Sequence, residues 1–86
     1  MNVCDLGLTC EEAWISNPEM GFGAFSHFSG PASVYQILPK HAAWLLYTTE
    51  RIDGRTAAAW GLVNECVGAA DLMPRAEAIA AQIARF

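Results

Sequence analysis

From Ile52 to Val67 the sequence sets out a complete passage from helix into strand. Asp53 is a residue type that caps a helix N-terminus, Gly54 to Trp60 follow as a short helix, and Gly61 stops it. Ala57 and Ala58 keep that helix slim enough to pack closely. Leu62-Val63-Asn64-Glu65-Cys66-Val67 then alternates as a strand. A strand must pair with another strand, so the expected fold class is α/β.

The rest of the chain supplies candidates for the partner strands. Asn2 to Thr9 has weak alternation, with Val3, Leu6 and Leu8 as its apolar positions, and Ala13 to Ser16 reads as a second short strand. Cys10-Glu11-Glu12 between them is a polar corner, and Asn17 is pushed towards extended geometry by Pro18. Pro31 suits the first position of a helix whose Val34, Ile37 and Leu38 share a face, and Pro39 is expected to end it. A second helix is expected over about Lys40 to Tyr47, with Ala43, Trp44 and Tyr47 as one stripe. Arg51-Ile52 reads as an extended link. Asp71 is expected to cap the last helix, which carries Pro74 in its first turn and Leu72, Ala76, Ile79, Ala80 and Ile83 on one side. The order is strand, strand, helix, helix, helix, strand, helix, in one domain spanning residues 1–86 without repeats.

Composition now adds a constraint. Hydrophobic residues make up 53% of 86 positions and charged residues only 16%. So small a chain has too much surface to hide that much apolar side chain, so it either associates or forms part of a larger core. The net charge is −4, and residues 1–39 hold Asp5, Glu11, Glu12 and Glu19 with no Lys or Arg. No basic patch exists to neutralise phosphates, which argues against nucleic-acid binding. No apolar run is long enough to span a bilayer, and Met-Asn-Val-Cys-Asp lacks the features of a signal peptide. The expected location is the cytoplasm. Cys4, Cys10 and Cys66 form no C-x-x-C pair, so no metal site is expected and the thiols read as small buried groups.

The most unusual stretch is Glu19 to Pro31. Gly21, Gly23 and Gly30 permit backbone geometries closed to other residues, while Phe22, Phe25 and Phe28 bring a large apolar area into a segment without regular periodicity. Such content suits the wall of a pocket or an interface, with Met20 beside it.

The segment Glu50-Arg51-Ile52-Asp53-Gly54-Arg55-Thr56-Ala57-Ala58-Ala59-Trp60-Gly61-Leu62-Val63-Asn64-Glu65-Cys66-Val67 resembles the crotonase superfamily, the enoyl-CoA hydratase/isomerase family, whose pattern there is r-I-d/s-A-x-x-A-x-x-x-G-L-V-x-x-V. Cys4-Asp5-Leu6 looks like the family's C-D strand. Ala13-Trp14-Ile15 looks like the strand that follows, and Asn17-Pro18-Glu19 like the x-P-E that closes it. The resemblance covers nearly the whole chain in the family's order. It implies a partial crotonase-like spiral of strand-strand-helix units, the second half of the family core, truncated at both ends.

The resemblance also implies a chemistry. In the family, two backbone N–H groups hold the thioester oxygen of an acyl-CoA as charge builds there, and carboxylates move protons at the neighbouring carbons. Glu19 matches the second catalytic glutamate of the family. Its neighbours Pro18, Met20 and Phe22 are of the kind that desolvate a carboxylate and raise its pKa. His27 stands where common members carry an I-P-G-x-G-G segment. That departure leaves it either an active-site residue or a loop histidine bonded to backbone. Met20, Phe22, Phe25 and Phe28 are the expected pocket residues. Coenzyme A enters as part of the substrate, and no separate cofactor is implied.

The glycine-rich family segment that supplies an oxyanion N–H lies upstream of the C-D strand, so residues 1–86 are not expected to build the usual oxyanion hole alone. Three functions remain open: an enzyme of acyl-CoA and fatty acid metabolism, a non-catalytic homo-oligomer or binding module, and a carbon–carbon hydrolase of diketones using His27. His41, Glu11, Glu12, Asp5, Arg75 and Arg85 read first as solvated, although either arginine could meet a phosphate of coenzyme A. Trp14, Trp44 and Trp60 read as core or subunit-contact residues.

Overall fold

The computed structural model of the protein describes residues 4–18, 21, 23 and 37–86. The expected helix from Pro31 falls almost wholly outside them, as do the first residues of the expected strand from Asn2. The described order is β1 (Leu8–Cys10), β2 (Trp14–Ile15), α1 (Pro39–Thr48), β3 (Ile52–Asp53), α2 (Gly54–Ala59), β4 (Glu65–Val67), a 3-10 turn (Ala69–Asp71) and α3 (Leu72–Ala84). The architecture is the expected α/β one, with strand pairs alternating with helices.

β1 and β4 pair in parallel, Leu8 opposite Glu65, Thr9 opposite Cys66 and Cys10 opposite Val67. A parallel pair needs a long crossover, and the intervening chain provides it with α1 and α2. The pairing is extended at its start by a two-way bond. The Asn64 N–H donates to the Gly7 carbonyl (2.8 Å), and the Gly7 N–H donates to Asn64 Oδ1 (2.9 Å). At the other end the Glu11 N–H donates to the Val67 carbonyl (3.1 Å). The expected strand over Asn2–Thr9 is therefore displaced: Cys4 and Asp5 form a bend, and Cys10, expected in the corner, is a strand residue. The corner itself is Glu11-Glu12, closed by the Ala13 N–H on the Cys10 carbonyl.

β2 and β3 pair antiparallel, Trp14 opposite Asp53 and Ile15 opposite Ile52. What looked like an extended link at Arg51-Ile52 is thus a strand. Asp53 leaves it in extended geometry and caps α2, its Oδ1 accepting from the Thr56 N–H at 2.7 Å. That bond from the Thr56 backbone holds the Asp53 carboxyl below its ordinary value.

The far end of α2 explains a second difference. Gly61 takes a φ of +84°, its N–H donates to Ala58 (3.1 Å), and the Leu62 N–H reaches back to Ala57 (2.9 Å). These are the paired bonds of a Schellman motif. Leu62 and Val63 are consumed by that turn, so the strand expected from Leu62 begins only at Glu65. Both nonetheless enter the core.

Pro39 opens α1 at its first turn, which its missing N–H and fixed φ allow. The helix ends without glycine. Thr49 adopts the left-handed region at φ 57°, while Thr48 Oγ1 donates to the Trp44 carbonyl (2.6 Å) and accepts from the Glu50 N–H (3.2 Å). Its buried face is Ala42, Leu45 and Leu46, not Ala43, Trp44 and Tyr47. Trp44 and Tyr47 are exposed, where indole N–H and phenol O–H can reach water. The core joins this face to Ile37, Ile52, Ala57, Leu62 and Val63, with Ile15, Ala58 and Trp60 packed beside it. Of the three tryptophans only Trp60 meets the core. Trp14 and Trp44 stay half exposed.

Asp71 belongs to the 3-10 turn and its side chain makes no cap bond to α3. The helix is anchored instead by Arg75, whose Nε and Nη2 donate to the two carboxylate oxygens of Glu65 at 2.8 and 2.7 Å. None of its residues is buried.

Candidate functional site

The six residues expected to carry chemistry or line a pocket, Glu19, Met20, Phe22, Phe25, His27 and Phe28, lie outside the described residues. What is described is the frame that leads to them. Ile15 is the inner residue of β2; it pairs with Ile52 and packs against the core. Asn17 and Pro18 follow directly, so Glu19 is four residues from a strand pair fixed by buried side chains.

The outer face of that pair carries a cation on an aromatic ring. The Arg51 guanidinium carbon sits 3.9 Å from the ring centroid of Trp14, in geometry that attracts a guanidinium to the π face. Sequence reading gave each residue a separate role, because the contact joins positions 37 apart in the sequence (51 − 14) that only the β2–β3 register brings together.

A second cluster lies where β1 ends and α2 begins. Glu11 and Arg55 form an exposed ion pair at 2.9 Å, and the glutamate's bond and charge raise the Arg55 pKa. Burial pushes the Cys66 thiol up, with the Glu11 charge adding to it. A raised pKa disfavours the thiolate, the reactive form of a cysteine. Gly54 is the reason the cluster is tight. A Cβ there would collide with the Cys10 carbonyl and stand 3.0 Å from Cys66 Sγ.

His41, read from sequence as solvated, is instead half buried and stacked on Trp60, with ring centroids 4.3 Å apart and planes 9° apart. Its Nδ1 is buried and has no hydrogen-bond partner among the described residues. The signal that could have located it is its position in the first turn of α1, on the same side as Ala42 and Leu45.

A groove of about 570 Å³ lies between Leu6–Leu8 and α3. The side chains of Leu72, Ala76, Ile79, Ala80 and Ile83 form one wall, as their helical spacing requires, and Asn64 supplies the polar group. Asn64 Oδ1 is already engaged by Gly7, which leaves the amide NH₂ as its free donor. No side chain in the lining is ionisable, so the groove can bury apolar surface but cannot perform acid–base chemistry. Arg75, beside the groove, commits its Nε and Nη2 donors to the Glu65 carboxylate. Among the described residues no group of three His, Cys, Asp or Glu side chains could hold a metal ion, and no helix is long and apolar enough to cross a membrane.

Comparison with known proteins brings this frame into focus. Residues 1–86 match the family model described as enoyl-CoA hydratase/isomerase. A crotonyl-CoA hydratase of Syntrophomonas wolfei is 33% identical over 81 residues, covering 93% of this chain and 31% of that protein. Among solved structures, an enoyl-CoA hydratase of Mycobacterium smegmatis superposes with a TM-score of 0.90 at 28% identity, over 95% of this chain and 32% of the other. Human enoyl Coenzyme A hydratase domain-containing protein 3 superposes with a TM-score of 0.93 at 27% identity, over 99% of this chain and 34% of the other. The chain spans about a third of the length of the relatives it matches.

Proposed function

The chain belongs to the enoyl-CoA hydratase/isomerase family, and on that footing we propose that it supplies the proton-transfer carboxylate of a site acting on acyl-CoA thioesters. Glu19 is that carboxylate. It gives a proton to, or takes one from, a carbon beside the thioester carbonyl, as water adds across a double bond or the double bond migrates. The negative charge that develops on the thioester oxygen is held by backbone N–H groups of polypeptide outside residues 1–86, which this chain complements as the second half of the core. Met20, Phe22, Phe25 and Phe28 wall the acyl group, and His27 faces the same pocket. Coenzyme A arrives with the substrate.

The observation that carries this reading is the match of all 86 residues to the family, with Asn17-Pro18-Glu19 following directly on the core-anchored pairing of Ile15 with Ile52. Replacing the matching third of the Syntrophomonas wolfei crotonyl-CoA hydratase by residues 1–86 tests it. The chimera is expected to hydrate crotonyl-CoA, and to lose that activity on Glu19→Gln. A folded, active chimera indifferent to Glu19→Gln would sink the assignment.

A second reading, a non-catalytic binding or self-associating module, is favoured by the groove and by a final helix with no buried residue. The purified 86-residue chain distinguishes the two: a stable assembly inert towards crotonyl-CoA supports the module, and turnover excludes it.

A further inference from the structure

We draw no further inference here: the strongest candidate, the apolar groove between Leu6–Leu8 and the outer face of α3, is an unpartnered face, and nothing in the structure shows whether a second copy of this chain, other polypeptide or a small apolar molecule covers it.

Discussion

The N–H of Leu62 donates to the carbonyl of Ala57 across 2.9 Å, and the residue between helix and return, Gly61, holds a φ of +84°. Both ends of that bond are buried in the core. A side chain at position 61 must enter the left-handed region, at a cost of about 1 kcal/mol. Gly61→Ala is therefore expected to lower stability by that amount in urea unfolding, and Gly61→Asn by less, since asparagine tolerates this region.

Gly54 fails for a different reason. Its backbone is unremarkable, but a Cβ has no room against the Cys10 carbonyl and Cys66 Sγ. Gly54→Ala must push β1 from α2, with an expected loss of about 1–3 kcal/mol. Gly21→Ala, with nothing within 4 Å of its Cβ, is the control and should stay within about 0.5 kcal/mol of the parent.

The orientation of α1 gives a paired test. Leu45 is fully buried and Trp44 about half exposed (0% and 51% accessible). Leu45→Ala is expected to cost about 2–5 kcal/mol, whereas Trp44→Ala should cost under about 1 kcal/mol despite removing far more atoms. The reverse order in thermal unfolding would mean that the helix turns its other face inwards.

Acid should weaken the fold through two carboxyls. The Arg75 guanidinium holds Glu65 below its ordinary 4.5, and the Thr56 backbone N–H holds Asp53 below its ordinary 3.8. Near and below those ordinary values the unfolded chain binds more protons than the folded one. The stability these groups contribute is thus complete above them and lost as pH falls through the lower, folded values. Denaturant midpoints measured from about pH 6 to about pH 3 should decline, and Arg75→Gln should flatten part of that decline.

For the proposed chemistry, exchange of the α-proton of a saturated acyl-CoA in D2O is the direct readout. Glu19→Gln in the chimera is expected to slow it by roughly 10²–10⁴-fold, the usual contribution of a positioned general base. His27→Ala, if it leaves that exchange intact but changes which acyl groups are accepted, assigns the histidine to the pocket wall.

Local signals in the sequence proved sufficient where one residue decides a conformation. Asp53 at the start of α2 and Gly61 at its end could be read directly, because capping and left-handed geometry depend on single residue types. The apolar side of α3 was equally plain, since polar and small residues separate Leu72, Ile79 and Ile83 at helical spacing. α1 was misread because Ala42 to Tyr47 is apolar without interruption, so periodicity cannot choose between faces and packing chooses instead. The stack of His41 on Trp60, the Arg51–Trp14 contact and the Glu65–Arg75 pair depend on tertiary register, for which the sequence holds no local marker. The role proposed for Glu19 rests on the family pattern and on its apolar neighbours in sequence, and residue 19 lies outside the described residues.

The parallel partnership of Leu8 with Glu65 spans 57 positions (65 − 8). Closing so long a loop costs upwards of roughly 3 kcal/mol of chain entropy before any contact repays it. During synthesis at about 5–20 residues per second, the first strand must wait several seconds for its mate to leave the ribosome. Throughout that delay Leu8 to Cys10 lack this partner, so the yield of folded chain is expected to depend on translation speed.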